Sequence, residues 1–71
     1  MKFNRHSRRR MKLYGITEAE VAAVVSSPDA EQDADEQGNP RYTARVGGRV
    51  VRVVISADDP EMVKSVFPRR G

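Results

Sequence analysis

The segment Arg41 to Ile55, RYTARVGGRVVRVVI, admits few folds other than a β-hairpin. Gly47-Gly48 can place two consecutive residues at positive φ, which a two-residue type I′ turn needs. Valines crowd both flanks, and β-branched side chains suit a pleated, half-buried surface. Closing the loop at the two glycines fixes a register: Val46 faces Arg49, Arg45 faces Val50, Ala44 faces Val51, Thr43 faces Arg52, Tyr42 faces Val53 and Arg41 faces Val54. Directly paired residues share a sheet face. One face then holds Tyr42, Ala44, Val46, Val51, Val53 and Ile55, with Arg49 at the turn end, and reads as core. The other holds Arg41, Thr43, Arg45 and Arg52 beside Val50 and Val54, a cationic face over an apolar floor. A slip of one residue would scramble both sets.

A chain of 71 residues makes one domain, 1–71, with a thin core. It has no cysteine, so neither a disulfide nor a thiolate metal site can staple it. The small core points to a homodimer or to a partner protein that supplies further burial. No apolar run approaches membrane-spanning length, and the basic N-terminus is not followed by a signal-like apolar stretch. The expectation is a cytoplasmic, bacterial-type protein with no membrane partner.

The net charge is only +3, but its arrangement is uneven. Met1 to Lys12 holds six basic residues (Lys2, Arg5, Arg8, Arg9, Arg10, Lys12) and no acid, Thr17 to Glu36 holds seven acids and no base, and Arg41 to Arg52 holds four arginines and no acid. Arginine is the side chain suited to bidentate phosphate contacts. Two explanations stand side by side: a polyanionic partner on one side of the molecule, or internal pairing between acidic and basic segments.

In chain order, Met1 to Asn4 reads as a short edge strand or a frayed end, and Asn4 as the N-cap of a helix from Arg5 to about Tyr14. Gly15 suits the left-handed residue that ends it. Thr17 and Glu20 form a capping box, with Ile16 and Val21 as its hydrophobic staple, for a second helix to about Ser26, which Pro28 stops. Residues 29–40 (DAEQDADEQGNP) read as an acidic loop in which a strand can begin near Gln32. After the hairpin, SADDPE is a turn and Met62 to Phe67 a third strand. Strict alternation puts Val63 and Phe67 on one face of that strand and Met62, Lys64 and Val66 on the other. Residues 68–71 read as a basic tail. The fold class is α+β: two N-terminal helices packed on a three- to four-stranded antiparallel sheet.

The chain resembles the domain of unknown function 4258 family, which is grouped by fold with the RelE/ParE toxin-like and BrnT-like proteins. The resemblance is carried by His6-Ser7-x-x-Arg10-Met11, Gly15-Ile16-Thr17 followed by Val21, Pro28, Arg41-Tyr42, Gly48-Arg49 with Val51 and Val53, and Val63 to Pro68. It covers nearly the whole chain. Tyr14 stands where the family usually carries an arginine. The resemblance implies two helices over an antiparallel sheet. RelE-like toxins cut mRNA on the ribosome, ParE-like relatives act on gyrase, and others have no known activity, so the grouping does not settle a reaction.

Two sets of residues are candidates for chemistry. His6, the only histidine, is a candidate general acid or base and lies one helical turn from Arg10. Ribonucleolytic cleavage needs a base, an acid and cations around the phosphorane, and His6, Arg10 and the hairpin arginines supply that set only if they converge. A packing histidine bonded to a backbone carbonyl is the plainer account of His6. Arg41, Arg45 and Arg52, with Tyr42 nearby, form the second set, a grip for an RNA backbone or the seat of an acidic, antitoxin-like protein. Arg8 to Arg10 suit a solvated helix face, and capping accounts for Glu18 and Glu20. The acidic loop lacks calcium-loop spacing. No metal or other cofactor is expected. The sequence thus supports two functions: a toxin-like domain that binds RNA or the ribosome, with metal-independent endoribonuclease activity as its extension, and a non-catalytic module that docks an acidic antitoxin or regulator.

Overall fold

The structure, a computed structural model, describes residues 1–69. Its elements are β1 (Lys2–Phe3), α1 (Arg5–Tyr14), α2 (Glu18–Ser26), β2 (Glu31–Ala34), β3 (Pro40–Val46), β4 (Arg49–Ile55) and β5 (Met62–Arg69). The strands form one sheet in the order β1-β5-β4-β3-β2. All neighbours are antiparallel except β1, which runs parallel to β5 through Lys2↔Met62 and Phe3↔Val63. The sheet is therefore mixed and five-stranded, not antiparallel with three or four strands. The two additional strands are short edges: β1 has two residues, and β2 has no residue larger in apolar area than alanine. Neither carries an apolar run; both are held by backbone pairing, β2 also by the cross-strand pair Asp33–Arg41 and β1 by Lys2–Asp59 in the turn before β5.

Local chemistry accounts for both helices. The Ser7 N–H donates to Asn4 Oδ1 at 2.7 Å and the Asn4 N–H donates to Ser7 Oγ at 3.0 Å, a reciprocal cap that buries Ser7 completely. Gly15, at φ 64°, closes α1 in the left-handed region. Thr17 and Glu20 cap α2 in the same reciprocal way, at 2.9 and 3.1 Å. Helix α1 packs on β5, and α2 on β3 and β4.

The core lies between this helical layer and one sheet face. Met11, Ile16, Val21 and Val24 meet Val51, Val53, Ile55, Val63 and Val66, with Tyr42, Ala44 and Val46 partly buried around them. The hairpin has the expected register at all six pairs from Arg41↔Val54 to Val46↔Arg49, and Gly47 and Gly48 have φ of 59° and 80°.

Strand β5 departs from strict alternation. Val53 pairs with Val66 but Ile55 with Val63, so β5 spends one extra residue against β4. This bulge lets two valines three residues apart enter the same core. It moves Val66 inward and leaves Phe67, paired with Arg52, on the opposite face. The expected acidic loop 29–40 holds β2, which begins at Glu31 beside the strand start expected near Gln32, and a turn. In that turn Asp35 accepts from the N–H groups of Gln37 and Asn39, and the buried Asn39 amide bridges Asp35 to the Ala57 N–H. The expected tail is strand through Arg69, while Arg70 and Gly71 lie outside the described residues. Among the described residues no helix is long and apolar enough to cross a membrane.

Candidate nucleic-acid interface

The helices cover one sheet face. The other carries, strand by strand, Glu31 and Asp33 on β2, Arg41, Thr43 and Arg45 on β3, Val50, Arg52 and Val54 on β4, and Ser65, Phe67 and Arg69 on β5. This face is built by the Gly47-Gly48 turn, whose register puts Arg45 opposite Val50 and Thr43 opposite Arg52, and by the bulge, which brings Arg69 opposite Val50.

The four arginines differ in what holds them. Arg41 is clamped: its Nε and Nη2 donate to the two carboxylate oxygens of Asp33 at 2.9 and 2.7 Å. This bond holds the Asp33 carboxyl below its ordinary range and raises Arg41. Arg52 donates from Nε to Thr43 Oγ1 at 2.9 Å, which fixes the guanidinium plane and leaves its terminal nitrogens directed elsewhere. Arg45 makes one long contact, 3.5 Å, to the Gly48 carbonyl. Among the described residues, Arg45, Arg52 and Arg69 form no ion pair, and all three line one open pocket of 360 Å³ together with Thr43, Val50 and the carboxylates of Asp29 and Glu31. Burial, then the like charges of Arg69 and Arg41, push Arg52 below the usual guanidinium range, and Asp33 and Glu31 offset part of this. Arg52 remains a cation at any ordinary pH. Crowded like charges of this kind are relieved by a bound anion.

The remaining sequence candidates lie elsewhere. Tyr42 is on the helix-covered face, where it lines an apolar pocket with Val25, Pro40 and Ile55. It does not join the arginines. His6 is exposed on α1, and its Nε2 is 3.4 Å from Ser65 Oγ. Arg10 donates to the Tyr14 hydroxyl at 3.2 Å, a bond within the helix. Both are on α1; Ser65 pairs with Val54 and so shares the open face by register, which brings His6 to the β5 edge of that face, but no hydrogen bond joins His6 or Arg10 to Arg45 or Arg52 among the described residues. Val54, expected as exposed floor, is only 9% exposed, and Val50 is half-buried.

Arg69 and Phe67 are the members that sequence reasoning missed. Pro68 read as the end of the strand, and strict alternation put Phe67 with Val63. The signal was the spacing Val63-x-x-Val66: two valines three apart at the end of an amphipathic strand are the mark of a bulge. Among the described residues no group of three or more His, Asp or Glu side chains is placed to hold a metal ion.

A family described as a domain of unknown function (DUF4258) matches residues 3–68. No curated protein and no solved structure matches the chain. The family match takes in both helices, the whole hairpin and β5 as far as Pro68, and on that span the chain belongs to the DUF4258 family.

Proposed function

We propose that this protein binds RNA through the uncovered sheet face, with the phosphate backbone held by Arg45, Arg52 and Arg69. One observation carries the reading: three arginines without an ion-pair partner among the described residues converge on one open pocket, and Thr43 holds one of them in orientation. Phosphate contacts from guanidinium groups supply most of the affinity of such an interface and make it salt-dependent.

The RelE/ParE-like grouping belongs to this proposal, supported by two capped helices on the sheet β5-β4-β3-β2. With it comes a role as a bacterial toxin-like domain that acts in the cytoplasm on RNA or the translation machinery. Endoribonuclease chemistry through His6 is an extension of this reading that the contacts do not support, since His6 meets Ser65 on β5 and no arginine of the open face. The docking of an acidic antitoxin-like protein on the same face is the second reading. It drew on an apolar floor, and the burial of Val54 removes much of that floor.

The test is RNA binding as a function of salt, for the wild type and for a variant carrying Arg45→Ala, Arg52→Ala and Arg69→Ala. For a single strand the log–log slope changes by about 0.7 per phosphate contact, so loss of all three contacts flattens it by about 2. An unchanged slope and affinity would remove the proposed surface.

A further inference from the structure

The arginine face contains one aromatic ring. Phe67 pairs in register with Arg52, and Arg69 follows two residues later on the same strand face. Phe67 is half-buried, like Val50, and stands apart from the core cluster and from the aromatic and aliphatic residues packed around it. It thus shares an uncovered sheet face with Arg52 and Arg69, and it lies outside the core cluster.

A partly exposed ring on a cationic face offers something that neither a free phosphate nor a duplex can use. Bases in a duplex keep their faces stacked on one another, whereas bases of a single strand offer theirs to aromatic side chains. Sheet surfaces that interleave aromatic rings with cations take single strands, one base on a ring and the neighbouring phosphates on the cations. An acidic helix or peptide would use the arginines and find little else here: Val54 is covered, Val50 is half-buried, and one ring does not make a hydrophobic docking patch.

We infer that the partner is single-stranded RNA and that Phe67 is the platform on which one base stacks while Arg52 and Arg69 hold the adjoining backbone. This rests on the RNA-binding reading above and specifies the form of the ligand.

The chain has no tryptophan, so Phe67→Trp introduces a unique fluorophore at the proposed platform. The probe is an unstructured 12-nucleotide RNA, with a duplex of the same length and poly-glutamate as comparisons. The inference expects Phe67→Trp to keep single-strand affinity and its emission to be quenched on binding. It expects Phe67→Ala to weaken binding about 5- to 150-fold, the range for one stacked base, with an unchanged salt slope. The duplex should bind more weakly than the single strand. Far-UV circular dichroism of both variants separates loss of binding from loss of fold. Unquenched tryptophan emission in the complex, or a duplex bound as tightly as the single strand, overturns the inference. If Phe67→Ala matches the wild type while the arginine variant still loses affinity, stacking is wrong and the RNA-binding reading stands. If poly-glutamate binds as tightly as RNA, both readings give way to an acidic protein partner.

Discussion

Arg49 is the hairpin arginine that the open face does not use. Its Nη1 donates to the Tyr14 carbonyl at 2.7 Å and its Nη2 to the Gly15 carbonyl at 2.8 Å, and the same Nη2 lies 3.6 Å from Glu20 Oε1. One side chain therefore satisfies carbonyls at the end of α1, complements the negative end of its dipole, and reaches the acidic first turn of α2. Arg49→Ala should cost about 2 kcal/mol in urea unfolding, near the sum of two charge-assisted hydrogen bonds that are partly exposed. Arg49→Lys should recover less than half, because an ammonium cannot reach two carbonyls as a planar fork does. A wild-type midpoint for Arg49→Ala would show that the clasp is ornamental. The carboxylates make a second prediction at this scale. Asp33, Asp35, Asp59 and Glu20 all sit below their ordinary range, through Arg41, Asn39, Lys2 and the Thr17 backbone respectively. A depressed folded pKa means that the unfolded chain takes up the proton first as pH falls. The contribution to stability is thus complete above the unfolded carboxylate value of about 4 and is lost as pH drops through the folded values. Stability should be flat from about pH 5 to 7 and fall below pH 4. Asp35→Asn, which removes the carboxylate at the Asn39 turn, should shallow that acid limb, and an acid limb as steep as the wild type's would exclude Asp35 as a contributor.

At the level of elements, the hairpin turn separates two glycines that look alike in sequence. A Cβ on Gly47 would meet Glu20 Oε2 at 2.9 Å, whereas a Cβ on Gly48 has open space, and both residues sit at positive φ. Gly48→Ala should cost only the left-handed strain, about 1–2 kcal/mol. Gly47→Ala should cost that and displace Glu20, which caps α2 and faces Arg49. Thermal unfolding should rank Gly47→Ala below Gly48→Ala, and the reverse order would show that Glu20 moves aside freely. The hairpin was legible because three signals agreed there: a turn dipeptide, β-branched flanks, and an alternation that only one register satisfies. The helix caps at Asn4, Thr17 and Glu20 were legible because each does its work within four residues of chain, while the reciprocal bond of Ser7 to the Asn4 backbone went unread. Strands β1 and β2 were legible only in outline, as a short edge strand or frayed end and as a strand beginning near Gln32, since their pairing is a property of residues far away: Lys2 finds Met62, and Gln32 finds Tyr42. The candidate site divided in the same way. Arg45 and Arg52 came out of the hairpin register. Arg69 stayed hidden because proline ordinarily ends a strand, yet beyond Val63 β5 has no strand on its outer side, so the missing N–H of Pro68 costs no ladder bond there. Tyr42 was grouped with the arginines through its neighbour Arg41, although alternation puts it on the other face.

For the whole molecule, the sheet acts as a partition between two basic surfaces. On the helical side α1 exposes Arg5, Arg9 and Lys12, while Arg8 lies over the Phe3 ring at 5.0 Å and pairs with Glu18. On the other side lie Arg45, Arg52 and Arg69. The molecule measures 31 × 24 × 19 Å, so even its thinnest dimension exceeds twice the Debye length of about 8 Å at physiological ionic strength. A strand on the open face is thus screened from α1 at 0.15 M salt, but not at 0.01 M, where the Debye length is about 30 Å. Neutralising Arg5, Arg9 and Lys12 to glutamine should change RNA affinity less than about threefold at 0.15 M salt and far more at 0.01 M. Neutralising Arg45, Arg52 and Arg69 should weaken it at both. The comparison distinguishes contact from general attraction. Direct contacts are lost at every salt concentration, while the field of a remote helix acts only when the solvent lets it through. An equal loss from both variants at 0.15 M would mean that RNA touches both sides of the sheet, and a single binding face would no longer describe this protein.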